Sequence, residues 1–446
     1  MKIAIIIEHF DPSRTQGAGA ERLAVWLARE FRHTGHEVHV ICHDVSARIN
    51  RYRQATLRAS HDADQSHRAV PPIDSAPAHD GLHIHRLRGM RLSTAIGFRV
   101  FGVRARQWVR RNKPDLVHSF TVACPGDIYH AVAGVFAAMQ SQSARSRQTM
   151  TRAVLKRLSL RFPGKQRSLV ASEGRAVRSL GTRGGVRRIL SPCPMTTRHL
   201  ESLSEELRGE RLGKAIAELP TPRLELATPD ASERHSPAAG DPREWFRAHY
   251  GLGKTDRVAL FVGHDFRRLG LRYAIEAVAR TESRWKLLVV GMGKMREYVE
   301  LADALGLGLA SAEGDAGRVL FVGPTREVAS VYSAADALLL PAFYEPSSGS
   351  LLDALSFGLP VVGTEFIAIA DLVTTHHAGT IVASPRDVDG LAAALDGLPA
   401  GGSAEQKNLS RRARAAGTSI TPGAYMEAIL KLYGQIRAEK SRGASA

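Results

Sequence analysis

Cysteine is almost absent from this sequence. The three present, Cys42, Cys124 and Cys193, are scattered, odd in number and without metal-ligand spacing. A disulfide framework is thereby excluded, and a reducing compartment fits. Long apolar runs are missing too. Five apolar residues follow Met1–Lys2 before Glu8 interrupts them, short of the about 7–15 that a secretory signal needs. Nothing approaches the about 18–20 apolar residues of a membrane span. The expectation is a cytoplasmic protein. Acid is nearly missing from one region: between Arg145 and Arg198, 14 Lys/Arg stand against the single acid Glu173, a net +13 of the chain's formal +17. Such a surface suits nucleic acid, anionic lipid or a phosphorylated acceptor. Nucleic acid ranks last, because no binding module is recognisable and no aromatics interleave with the arginines. No Gly-x-Gly-x-x-Gly is followed by the acid of a nicotinamide site, which argues against a dehydrogenase.

What is there reads as two α/β domains, the expected division for 446 residues. Lys2–Ile7 is a β-rich run for a strand buried on both faces. A glycine-rich loop, a helix from about Ala20 to His33 and a strand over Glu37–Cys42 complete a βαβ unit. Polar residues 44–81 read as a long loop, and Leu116–His118 as another strand. The crossing between domains is placed within 200–240, with domains over 1–235 and 236–421. Strand signals resume at Arg257–Gly263, Lys286–Val290, Arg318–Val322, Ala337–Leu340 and Pro360–Gly363. A helix over about Pro422–Glu439 is expected to return to the first domain, ahead of a disordered tail at 440–446.

The most informative stretch is Leu338–Gly363. A strand ends at Pro341, a loop carries Glu345, and a helix begins near Ser348. Ser347 or Ser348 can cap that helix, and Gly349 lets a ligand approach its backbone. The free amides at its start suit a diphosphate. Asp353, one turn in, can accept two hydrogen bonds from a ribose diol.

This stretch resembles the retaining glycosyltransferases of family 4, marked by Glu, seven residues, then Glu. The resemblance extends over Phe261–Gly270, Val289–Gly293 and Phe321–Gly323. It is most similar to the lipopolysaccharide core glucosyltransferase I group at Asp265–Phe266 and Asp127–His130. It implies the GT-B fold, two Rossmann-like doubly wound domains facing across a cleft. It further implies transfer of a hexose from a UDP- or GDP-type nucleotide sugar to a lipid- or polysaccharide-linked acceptor, without a required metal or cofactor. Carried over by position, Glu345 contacts the transferred sugar and Asp353 the nucleotide ribose. Gly17–Arg22 is similar to the family's glycine loop, in which Gly17 or Gly19 approaches the donor phosphate. Pro114–His118 resembles the strand before the acceptor loop, and His118, Asp127 and His130 are expected to face the cleft there.

The chain also departs from the pattern. His264 and Leu269 stand where the family has an Arg and a Lys for the diphosphate, and Ile367 and Ala368 replace paired glycines. Arg267 and Arg268 are the candidates to supply the missing charge. These substitutions keep open a second reading, a non-catalytic relative that binds a nucleotide or glycan. Within the basic region, Met150, Val154, Leu155, Leu158 and Phe162 recur at helical spacing among arginines and a lysine. Such a helix can lie on an anionic membrane surface, and the similar enzymes work at the inner face of the cytoplasmic membrane. An ordinary core-facing helix explains the spacing equally well.

Overall fold

The computed structural model describes residues 1–10, 19–43, 81–87, 89, 91–147, 164–182, 184–210, 212–224, 240–308, 317–325, 327–347 and 349–444. The first apolar run forms strand β1 (Lys2–Ile6), and its alternation divides the side chains between two cores. Ala4 and Ile6 join Phe98, Phe101 and Val177, while Ile3 and Ile5 join Leu23, Leu27 and Phe31. Burial on both faces is what a parallel sheet between helices demands.

Six further strands complete this sheet: β2 (Glu37–Cys42), β3 (Leu82–Arg86), β4 (Leu116–Ser119), β5 (Ile128–His130), β6 (Arg188–Ser191) and β7 (Ile216–Glu218). Their order is β3-β2-β1-β4-β5-β6-β7, parallel throughout. The second sheet holds β8 (Val258–Val262), β9 (Lys286–Val290), β10 (Val319–Gly323), β11 (Ala337–Leu340), β12 (Val361–Thr364) and β13 (Gly379–Val382). Its order is β10-β9-β8-β11-β12-β13, again parallel. Strand order reverses at β1/β4 and at β8/β11, and there the carboxyl ends leave a crevice for ligand.

β7 still pairs with β6, so residues up to Glu218 belong to the first domain. The expected boundary at 235/236, like most of the expected 44–81 loop, falls outside the described residues. At the other end, the C-terminal helix runs from Pro422 to Ala444, so residues 440–444 are helical where a disordered tail was expected. Lys440 anchors that last stretch: its Nζ donates to Asp115 O at 2.8 Å and to Asp127 Oδ2 at 3.1 Å. Upstream, Tyr425, Ile429, Tyr433 and Ile436 share the core of Ile3 and Ile5. Among the described residues no helix is long and apolar enough to cross a membrane.

Candidate active site

The site grows from the end of β11. Past Leu340 the chain turns through Pro341–Tyr344 and makes a single parallel bridge, Glu345 to Ile367. Glu345 N–H donates to Phe366 O at 2.8 Å, and Glu345 O accepts from Ala368 N–H at 2.7 Å. The backbone of Glu345 is therefore pinned before its side chain makes any contact. Its Oε1 accepts Ser347 N–H at 2.9 Å, and Arg268 Nη1 approaches Oε2 at 3.2 Å. Arg268 also donates to Tyr344 O and reaches Asp265 Oδ2 at 3.4 Å. The turn carrying it packs hard against β11. Gly270 has φ +80°, and a Cβ there would lie 1.9 Å from Pro341 O, so only glycine brings the two loops this close.

The helix Gly349–Ser356 follows, and its start faces the start of the Gly19–His33 helix of the first domain. A Cβ on Gly19 would lie 2.6 Å from Ser347 Oγ. Two helix amino ends thus converge at one point of the cleft, each with the partial positive charge of a helix start. One turn deeper, Asp353 is nearly fully buried. It lies 3.6 Å from Arg22 Nη1 and 3.4 Å from Arg223 Nε, both reaching across from the first domain's side. Burial pushes its carboxyl up to about 6 against the opposing pull of Arg22 and Arg223. Tyr344 makes a second crossing: its Oη accepts Val135 N–H at 2.8 Å and packs beside Cys193 and Met195.

The structure brings Glu345, Arg268, Gly349, Asp353 and Gly19 together, while Arg267, His118, Asp127 and His130 lie elsewhere. Gly17 and Ser348 lie outside the described residues. Arg267 turns away and pairs with Glu297 at 3.1 Å on a neighbouring helix. Leu269 is core, closing under Gly263, and His264 Nδ1 accepts Met292 N–H at 3.4 Å.

The three expected acceptor-side residues are corrected outright. His118 is fully buried beneath the C-terminal helix, with Nδ1 2.6 Å from Tyr433 Oη and Nε2 3.1 Å from His130 Nδ1. Burial lowers His118 to about 3 and His130 well below its ordinary value, so both are neutral core groups. Asp127 precedes β5, at the amino end of a parallel sheet whose ligands bind at the carboxyl end. There it accepts Val117 N–H at 2.9 Å and pairs with Lys440.

Three features escaped the sequence reading. Arg22 could have been found: it lies one turn into the helix that Gly19 opens. Arg223 gave no signal, because it sits in an irregular stretch between domains. Glu8, which the sequence shows only as the end of a strand, accepts Thr121 Oγ1 at 3.1 Å and Lys165 Nζ at 3.4 Å beyond the carboxyl end of β1. Farther along the helix that Lys165 opens, Glu173 is fully buried. It takes Phe136 N–H at 2.8 Å, and burial pushes it up to about 8.

Known proteins match both halves. Residues 17–203 match the family described as Glycosyltransferase Family 4, and residues 256–399 match Glycosyl transferases group 1. The lipopolysaccharide glucosyltransferase WaaG of Escherichia coli K12 is 32% identical over 156 residues, which cover 34% of this chain and 40% of that relative. A crystal structure of WaaG, a glycosyltransferase involved in lipopolysaccharide biosynthesis, superposes with a TM-score of 0.66 over 95% of this chain and 98% of its own, at 21% identity. Anabaena Alr3699/HepE, solved in complex with UDP and glucose, gives 0.56 over the whole of both chains at 14% identity. At these identities the structural likeness speaks for the fold alone. With one family match on each of its two parallel-sheet domains, the chain belongs to glycosyltransferase family 4 and has the GT-B fold.

Proposed function

We propose that the protein transfers a hexose from a nucleoside diphosphate sugar to a hydroxyl of a lipid- or glycan-linked acceptor, with retention at the anomeric carbon. The observation that carries this reading is the meeting of two helix amino ends at Gly19 and Ser347, flanked by Arg268–Glu345 and by Asp353. Converging amides and a guanidinium stabilise a departing diphosphate as its charge develops. Glu345 projects from a pinned backbone toward the same point, where the sugar would lie. Asp353 takes the ribose once it leaves Arg22 and Arg223. The involvement of the similar WaaG in lipopolysaccharide biosynthesis makes cell-envelope glycolipids the first acceptors to try. The test is a panel of nucleotide sugars with such acceptors, reading released nucleoside diphosphate. Release above the acceptor-free rate with one donor supports the reading; nucleotide binding without release from any donor overturns it.

A second reading, binding without turnover, has its own observation. The Asp353 carboxylate already faces two arginines, and neither His264 nor Leu269 supplies a cation of the family's kind. The same panel separates the two.

Asp353 also makes nucleotide affinity depend on pH. Its raised value means the closed chain holds the proton more tightly than an exposed aspartate would. The stability this proton gives the closed form is full below the ordinary aspartate range and is lost as pH rises through about 6. A ribose that needs the carboxylate binds the ionised form. Nucleoside diphosphate affinity should therefore be flat above about pH 7 and fall below about pH 6, approaching tenfold per unit. Asp353→Asn should bind more weakly and lose that step. Calorimetry of both proteins across this range decides it; identical pH profiles would separate Asp353 from the nucleotide.

We place the protein at the inner face of the cytoplasmic membrane, with 145–198 as the contact. Its apolar stripe at 150–162 lies outside the described residues, but Arg167, Arg175 and Arg178, later in the same basic stretch of sequence, are exposed. Binding to vesicles should rise with anionic lipid content and fall as salt is added. Co-sedimentation insensitive to both would leave an ordinary basic surface.

A further inference from the structure

Away from the cleft, the first sheet carries a second cluster of ligating groups. His39 lies opposite His83 in the β2–β3 register. Glu37 precedes His39 by two residues and His85 follows His83 by two, so the period of a strand puts all four on one face. The ring centroids of His39 and His83 are 4.7 Å apart. Glu37 Oε1 is 2.8 Å from His39 Nε2, and His39 Nδ1 is 2.8 Å from His85 Nε2. Trp108 closes one side, its ring 5.3 Å from His39 and 4.8 Å from His85. One ligand atom from each of Glu37, His39 and His83 lies within 4.8 Å of the others.

We propose that Glu37, His39 and His83 form a binding site for a divalent transition ion of the zinc class, with His85 orienting His39. The donor set is two imidazoles and a carboxylate, with the fourth position left to water. Bonds of about 2.0–2.1 Å in a tetrahedron set ligand atoms about 3.3 Å apart, so side-chain rotation of roughly an ångström closes the cluster. The hydrogen bond to His85 supplies what a ligating imidazole needs. With His39 Nε2 on the ion, Nδ1–H donates to His85 Nε2, which fixes the tautomer and ring plane. Among the described residues the cation paired with the cluster is Lys2, whose Nζ lies 3.9 Å from Glu37 Oε1. It stands in for the ion's charge and is displaced when the ion binds.

Placement says what the ion does. Glu37 opens β2 and His83 is the second residue of β3, so the cluster lies toward the amino ends of these strands. The cleft lies at the carboxyl ends. The ion is therefore structural: it clips β3, the outermost strand, to β2 across a long connection, where a cross-link removes the most chain entropy. Sugar transfer does not pass through it.

The test uses the full chain after treatment with a chelator. Zn²⁺ titrated by calorimetry should bind at one ion per chain, with micromolar or tighter affinity and a raised Tm. Co²⁺ in its place should give the intense visible absorption of a tetrahedral site. His83→Ala should weaken Zn²⁺ binding at least tenfold, and His85→Gln about 10–100-fold. Glu37→Gln alters a half-exposed side chain, so it serves as the folded control and should lose about tenfold. No binding by the wild type would overturn the proposal. So would equal affinity in Glu37→Gln and wild type, since the ion would then sit on other histidines.

Discussion

Glu345→Ala should reduce turnover by about 10²–10³-fold while leaving nucleoside diphosphate affinity within about threefold of wild type. The expectation follows from how the residue is held. Its backbone is fixed by two hydrogen bonds to the 366–368 turn, so the substitution leaves the loop in place and removes only the carboxylate. What that carboxylate loses in the resting protein is one bond from Ser347 N–H and one ion contact with Arg268. Each is worth roughly 0.5–1.5 kcal/mol at a partly exposed position, so Tm should drop by a few degrees. A residue that served only to tie Arg268 and Ser347 together would show that change in Tm with little loss of turnover. Glu345→Gln separates charge from shape: it can keep the Ser347 bond while losing the negative charge at the point proposed for the sugar, and should be nearly as slow as the alanine variant. Wild-type kcat in either variant would remove Glu345 from the chemistry.

The sequence was most readable where one strong physical demand acts on a whole segment. Strands buried on both faces must be largely apolar, and β9 and β11 fall on the residues their runs mark; β2 does so as well, although Glu37 and His39 interrupt its run. β3 and β7 carry no such demand. β3 is an edge strand of alternating histidines, and β7 has two half-covered residues and the exposed Glu218, so neither rises above the polar chain around it. β5 is buried but only three residues long. The C-terminal helix was visible as a helix, but its end was not. Lys440 and Arg442 read as a solvated tail until Asp115 and Asp127 are seen beneath Lys440.

The site divides in the same way. Glu345, Gly349 and Asp353 lie on one continuous strand–loop–helix unit, whose spacing alone puts them together. His118, Asp127 and His130 were misplaced because sequence does not say which face of a strand, or which end of a sheet, a polar residue occupies. His118 and His130 alternate onto the face covered by the C-terminal helix, some 300 residues later in the chain; the recorded separation of His118 and Tyr433 is 315 positions. Asp127 stands before its strand rather than after it. Arg22 and Arg223 meet Asp353 only because two domains close on each other, and no local pattern encodes that encounter.

The neighbouring arginines, equivalent in sequence, should differ sharply in effect. Arg268 is four-fifths buried against Glu345, Asp265 and Tyr344 O, at the edge of the point where the two helix amino ends meet. Arg267 is only partly covered and pairs with Glu297. Since position 264 is a histidine and position 269 is core leucine, Arg268 is the cation to which the proposed function assigns the departing diphosphate. A charge that strengthens its contact as the bond breaks acts on kcat more than on ground-state binding. Arg268→Ala should therefore lower kcat on the order of 10²-fold, by comparison with other lost contacts to developing negative charge. Arg267→Ala should stay within about twofold, as expected for an exposed ion pair. Arg268→Lys distinguishes two roles for the residue. A lysine retains the charge but not the fork that holds Tyr344 O, Glu345 and Asp265 together. Substantial recovery of kcat by lysine would mark the charge as the contribution, and a rate as low as alanine's would mark the positioning of Glu345. Equal kcat in Arg268→Ala and wild type would show that leaving-group charge is met by the helix amides alone, and that Arg268 serves only the fold of its loop.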